Sequence, residues 1–304
     1  MPSEARIIIK PLAPFDFELS ARIFSDGDPQ IRKYENGVFW QLMTVGGKLL
    51  LTKITAAGSV DAPRLVVELA SNSEISRRDR EEARKAVCTL FNLSFDLKRF
   101  YGQLRKESTM ALLTRKLKGL KSPTTPTAFE ALVDSIVEQQ ISLDLANKME
   151  NRLIKAFGET LVLATKTYYA FPTPQRLATT RIRQLRQCGL SQRKAEYIRD
   201  ISRMIVDGKL NLEKLKECSR PDDILKELDA IRGIGIWTAE LTMIRGMQRL
   251  EAFPADDVGL RRVISHYFSG DRKISSDEAR KIADNWGTWK GLAGFYLIMD
   301  NLRG

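Results

Sequence analysis

Four short stretches in the first hundred residues, Arg6–Lys10, Gly37–Met43, Lys48–Ile54 and Pro63–Leu69, are rich in Ile, Val, Leu and aromatic residues and are bounded by Gly, Asp, Asn and Pro. That pattern predicts β-strands joined by turns. Two intervening segments, Phe15–Ile23 and Arg77–Phe91, carry apolar residues at helical spacing. Together they predict a curved antiparallel sheet packed against helices, an α+β lobe over residues 1–105.

From Leu104 onward the period changes to that of helices. Phe129, Leu132, Val133, Ile136 and Val137 recur on one face, and Leu145, Met149, Leu153, Ile154 and Phe157 on the next. Breaks at 121–126, 171–174, Gly208 and 219–221 keep the helices short, as in a bundle rather than a coiled coil or repeat array. Residues 106–304 are therefore predicted to be all-helical, with breaks that allow a division into two lobes.

Composition narrows the partner. The 304 residues carry 49 Lys+Arg against 38 Asp+Glu, a net charge of +11, and the surplus is larger after residue 105. A basic chain of this kind favours a polyanion, although a basic surface with no nucleic-acid role remains open on charge alone. Cys88, Cys188 and Cys218 are odd in number and widely spaced, which fits a reducing compartment and excludes a four-cysteine cluster within one chain. His266 is the only histidine, so a zinc site or a Ser/His/Asp triad is poorly supported, and the residue reads as helix surface. No stretch has the ~20 apolar residues needed to span a bilayer. The expected location is cytoplasmic or nucleoid-associated, nuclear in a eukaryote, with no membrane partner.

The chemistry concentrates between Leu225 and Phe268. Ile231-Arg232-Gly233-Ile234-Gly235-Ile236-Trp237 interrupts a helical pattern near 225–245 with two glycines. Backbone N–H groups at the start of the following helix would form an anion-binding concavity there. Roughly twenty residues on, Asp256 and Asp257 follow Phe253-Pro254 and precede the apolar run Val258, Leu260, Val263 and Ile264. Aspartates so placed either cap a helix or do chemistry at the mouth of the turn. Gln139 and Gln140 end the Phe129 helix, where an amide could enter a base stack or face solvent. Gly189, Ser191, Arg193 and Lys194 form a basic turn at another helix start, a second candidate phosphate contact or an ordinary solvated surface.

Gly233–Ala239 followed by Pro254–Leu260 resembles the helix-hairpin-helix base-excision DNA glycosylases, and among them the AlkA-type 3-methyladenine DNA glycosylases. The likeness extends through Asn92–Leu97, Phe129–Ser142 and Cys188–Tyr197, most of the chain. It implies double-stranded DNA containing a damaged base as partner, with Asp257 as catalytic carboxylate and Asp256 bonding local backbone N–H groups. Trp237, Trp289, Leu241 and Val258 are implied to line the base pocket, Gln140 to be the DNA wedge, and Gly233, Gly235, Arg193 and Lys194 to bind phosphate. Relatives that also cut the strand carry a lysine where this chain has Trp237, which cannot form an imine. The resemblance thus implies a monofunctional, monomeric 3-methyladenine glycosylase that leaves an abasic site. No cofactor is required, but a structural sodium or potassium ion on the carbonyls of Asp229, Ile231 and Ile234 is implied. Hypoxanthine or oxidised guanine as substrate, and a non-catalytic hairpin DNA-binding protein, are the alternatives.

Overall fold

The computed structural model describes residues 3–302. The N-terminal lobe is an antiparallel sheet of β1 (Ser3–Ile9), β2 (Arg32–Glu35), β3 (Val38–Val45), β4 (Lys48–Ala56) and β5 (Leu65–Ser71), in the order β1-β5-β4-β3-β2. Its register sets Ile7 opposite Val67 and Ile54 opposite the same residue on the other side, which gathers the apolar face. Helices α1 (Phe17–Ala21) and α2 (Arg77–Leu90) cover that face through Phe17, Ala83, Val87 and Leu90. The α+β expectation holds. Strand β2 escaped the sequence reading because three of its four residues are charged; it is an edge strand, where only Tyr34 must be buried.

Thirteen further helices follow in the described residues: α3 (Leu97–Leu104), α4 (Ser108–Lys116), α5 (Ala128–Glu138), α6 (Leu143–Phe157), α7 (Pro174–Thr179), α8 (Ile182–Gln187), α9 (Gln192–Val206), α10 (Leu212–Lys216), α11 (Pro221–Asp229), α12 (Ile236–Met247), α13 (Val258–Phe268), α14 (Ser276–Asp284) and α15 (Lys290–Asn301). They build two cores. The first gathers side chains from α5 to α12; the second joins α3 and α4 to α13, α14 and α15. The sheet-lobe core ends at Leu93, whereas Leu97, Phe100 and Leu104 belong to the second helical core. The packing boundary thus falls before α3, not at residue 105, because α3 buries its apolar face against α15. A hairpin of β6 (Thr160–Leu163) and β7 (Lys166–Tyr169) interrupts the helices and packs Leu161 on Leu42 and Leu51 of the sheet. Four-residue strands carry too little alternation to stand out in sequence.

The central element is α5. Thr127 caps it by accepting the Glu130 N–H at 3.1 Å, and every residue from Ala128 to Val137 is buried. It crosses α12 where Gly246 leaves no side chain; a Cβ there would lie 2.7 Å from the Ala128 Cα. One face of α5 is acidic, with Glu130, Asp134 and Glu138 a turn apart. Arg32 of β2 ties this face to the sheet lobe, reaching Glu130 at 3.2 Å and Glu150 of α6 at 2.9 Å. Arg245 of α12 holds both Glu138 oxygens at 2.7 and 2.8 Å.

Three carboxylates thus share two guanidinium groups in a buried site, beside a fourth, Asp134. Burial, reinforced by the Glu150 charge, pushes Glu130 up to about 7 against the pull of Arg32. Asp134 and Glu150 are raised as well, burial again coming first. A carboxyl raised in the folded state binds its proton more tightly there than in the unfolded chain. Its stabilising effect is complete below the unfolded value, 4.5 for a glutamate, and is lost as pH rises through about 7. Thermal unfolding followed by circular dichroism is therefore expected to show a falling Tm between pH 5 and 8. Glu130→Gln should flatten part of that slope, by on the order of a few kcal/mol at most; an unchanged slope would count against the site as its source.

Candidate active site

The hairpin is built by α11, which opens with Pro221 in its first turn, and α12. The two turn glycines do different things. Gly233 has φ of 94°, and a Cβ there would fall 2.3 Å from the Tyr197 ring, so only glycine fits. Gly235 is the N-cap of α12 in an extended conformation, φ −97° and ψ 175°, with no side-chain cap, and a Cβ would meet nothing within 4 Å. Ala239 is the first residue of α12 whose N–H reaches a carbonyl of the turn, that of Gly235 at 3.0 Å. The preceding N–H groups of Ile236, Trp237 and Thr238 donate no backbone hydrogen bond among the described residues, so the start of α12 carries positive partial charge beside the open space at Gly235.

One side chain fastens this turn to the end of α5, and a second fastens α9 to the same end. Gln139 Nε2 donates to the Gly233 carbonyl and to Thr238 Oγ1, each at 2.9 Å. Lys194 Nζ donates to the carbonyls of Val137 and Gln139 at 2.8 and 2.7 Å. The assignment of Lys194 to phosphate is corrected accordingly: its ammonium caps the C-terminal end of α5, where the helix presents unpaired carbonyls. Burial lowers its pKa. Ser191 does cap α9, accepting the Lys194 N–H at 3.2 Å, and Arg193 is exposed in the first turn of that helix. Gln140 follows in a left-handed conformation, φ 57°, exposed at the rim of a cleft.

The cleft, about 1330 Å³, runs between the two helical cores and against the sheet lobe. Asp257 stands in its wall as the N-cap of α13. Its Oδ1 accepts the Leu260 N–H at 2.8 Å, and its Oδ2 accepts the Trp237 indole N–H at 3.1 Å. These bonds fix the plane of the carboxylate at the cleft surface. The backbone bond expected of Asp256 is made by Asp257, which caps the helix, while Asp256 is exposed and accepts from Ser276 Oγ at 2.6 Å. Capping and chemistry are not exclusive for a group with two oxygens.

Trp237, Leu241 and Val258 all line the cleft, Val258 at 64% exposure. Trp289 does not. Its ring packs edge-on against Phe95 and tilted against Phe100, and its indole N–H is taken by Gln103 Oε1 at 3.1 Å, so it belongs to the α3 contact. The wall expected of it is supplied instead by Phe295 and Ile298 of α15. Ile23 and Phe24 of the sheet lobe add another side. No motif marks these residues, because α15 reads as an ordinary apolar helix. His266 lies on the surface of α13, 3.0 Å from Asp271.

Asp229 ends α11, and Ile231 and Ile234 lie in the hairpin turn that leads to α12. The carbonyls of Asp229 and Ile234 accept no backbone hydrogen bond among the described residues, while that of Ile231 accepts the Ile234 N–H at 3.0 Å. Neutral carbonyl oxygens with spare lone pairs suit a monovalent cation, so the donor set fits the implied ion. Among the described residues no group of His, Cys, Asp and Glu could hold a metal.

The profile of the HhH-GPD superfamily of base excision DNA repair proteins matches residues 133–288. The chain belongs to that superfamily. Its match spans the acidic end of α5, the hairpin, Asp257 and the start of the C-terminal helices. The DNA-3-methyladenine glycosylase of Bacillus subtilis (strain 168) is 31% identical over 264 residues, 86% of each chain. Among solved structures, the 3-methyladenine DNA-glycosylase from Archaeoglobus fulgidus superposes with a TM-score of 0.85 at 25% identity, covering 98% of both chains. An 8-oxoguanine glycosylase/lyase of Clostridium acetobutylicum, in complex with double-stranded DNA, shares the fold at 21% identity, with a TM-score of 0.78 over 100% of this chain and 98% of that one. These two structures share the fold over nearly the whole of this chain. No described helix is long and apolar enough to cross a membrane.

Proposed function

We propose that the chain is a monomeric, monofunctional DNA glycosylase that extrudes an alkylated purine, 3-methyladenine or 7-methylguanine, from duplex DNA and hydrolyses its N-glycosidic bond. The observation that carries this reading is Asp257, a carboxylate held by two hydrogen bonds in the cleft wall, with the open N–H groups of α12 next to it. Departure of the base leaves positive charge on the deoxyribose, which a fixed anion stabilises; the same carboxylate can accept a proton from the attacking water. The hairpin amides take a phosphate of the backbone, and a sodium or potassium ion on the carbonyls of Asp229, Ile231 and Ile234 adds positive charge there. The faces of Trp237 and Phe295 suit a cationic methylated base, which is also a good leaving group.

The strand-cutting alternative requires an amine nucleophile. Trp237 occupies the position where such relatives carry lysine, and no lysine lines the cleft among the described residues. The purified protein is therefore expected to release free methylated purine and leave the strand intact until alkali is added. A panel of duplexes carrying methylated purines, hypoxanthine, 8-oxoguanine or uracil tests substrate and mechanism together. A covalent adduct trapped by borohydride on any of them would overturn the monofunctional reading, and release of none would overturn the glycosylase itself.

A further inference from the structure

Asp257 reaches the cleft on a short loop that is anchored from behind. Two tight turns follow one another there: the Phe253 carbonyl accepts the Ala255 N–H at 2.8 Å, and the Pro254 carbonyl accepts the Asp257 N–H at 2.9 Å. The oxygen that closes the first turn has a second partner. Arg280 Nη1, from α14, donates to the Phe253 carbonyl at 3.0 Å and to Glu240 Oε1 of α12 at 2.7 Å, while its Nη2 donates to Glu240 Oε2 at 3.1 Å. Glu240 is 3% exposed. One guanidinium thus ties the root of the loop to α12.

The same helix meets Asp257 from the front. Trp237, one turn before Glu240, donates its indole N–H to Asp257 Oδ2. Both the loop root and the carboxylate are therefore referred to α12, the root through Arg280 and the carboxylate through Trp237. Arg261 adds a further hold, its Nη1 donating to the Ala255 carbonyl and to Ser276 Oγ, each at 3.0 Å. Phe253, Pro254 and Asp257 line the cleft, whereas Arg280 and Glu240 do not. The pair is placed to act on Asp257 and not on DNA lying in the cleft.

We propose that Arg280 is a positioning residue for base hydrolysis: by fixing the Phe253 carbonyl to Glu240, it sets where the Asp257 carboxylate stands against the sugar of the extruded nucleotide. The proposal rests on the glycosylase reading and deepens it. Stabilising charge on a sugar is a short-range task, and a displacement of about 1 Å can cost on the order of a hundredfold in rate. Grip on the DNA, which belongs to the hairpin amides, does not depend on this tie.

The test uses the full chain with Glu240→Met and Arg280→Met together. Apolar replacement of both partners leaves neither charge buried alone, so Tm should stay close to that of the wild type. Single-turnover release of 3-methyladenine at saturating enzyme should fall at least about thirtyfold. The enzyme concentration that gives half the maximal rate, and the affinity for a tetrahydrofuran abasic duplex, should each stay within about twofold. Glu240→Gln alone keeps an oxygen for Arg280 and leaves its bond to Phe253 in place; its loss of rate should be at least about fivefold smaller than that of the pair. A second pair, Glu240→Gln with Arg280→Leu, carries the same expectation as the methionine pair and decides the matter if that pair lowers Tm. A wild-type rate in a stably folded pair variant would overturn the inference. So would a loss in Glu240→Gln alone equal to that of the pair, because the charge and not the tie would then be responsible. Either result leaves the glycosylase reading intact. Absence of base release by the wild-type protein would overturn that reading itself.

Discussion

Asp257→Asn is expected to abolish base release almost completely while leaving affinity for an abasic analogue within a few-fold of the original protein. Asparagine preserves the shape of the side chain, can still accept the Leu260 N–H at the head of α13, and removes only the charge. The fold and the DNA surface should therefore survive. What disappears is the anion facing the sugar as the base departs, a loss of about 10³-fold or more in single-turnover rate, or roughly 4 kcal/mol of barrier. A non-catalytic hairpin protein would use the same turn without needing this carboxylate. Full activity of the variant would sink the assignment of Asp257, and retained DNA binding separates lost chemistry from lost structure.

The second large effect is expected at the hairpin, where neighbouring glycines should fail in different ways. Gly235→Asp adds a carboxylate into open space beside the α12 amide groups. It should leave Tm near that of the wild type and weaken binding to damaged and undamaged duplexes together, by at least about tenfold, since like-charge contact costs several kcal/mol. Gly233→Ala instead drives a methyl group into the Tyr197 ring from a backbone conformation that alanine resists. Its primary consequence should be a lower Tm, on the order of 2 kcal/mol or more of stability. Fluorescence anisotropy and calorimetry on the two variants resolve the difference. If Gly235→Asp bound DNA normally with its fold intact, the turn would be structural only.

The hairpin, the acidic pair and the alternation of strand and helix were legible in sequence because each is local: glycines bend a chain where they stand, and periodicity is read along one element. What escaped depends on chain segments distant in sequence. Lys194 looks like a free cation in its own turn, and only the approach of α5 reveals the carbonyls it satisfies. Trp289 and Phe295 are six positions apart and equally aromatic, yet packing against Phe95 and Phe100 takes the first away from the cleft and leaves the second in it. Asp134 reads as one acid in an apolar helix. Its isolation becomes visible only when Arg32 and Arg245, from two other elements, are seen bonded to its neighbours.

Gln139 joins the carbonyl of Gly233 to the end of α5, and Lys194 clamps that end from the other side. The hairpin turn and the exposed Gln140 are consequently mounted on one rigid frame. For a protein that holds a phosphate with the turn and fills the vacated stack from the Gln140 rim, the frame acts as a caliper: the number of nucleotides between the gripped phosphate and the extruded one is set by the protein, not by the DNA. Such an enzyme can slide along undamaged duplex testing every position at one fixed offset, and a footprint measured on any sequence should show the same offset.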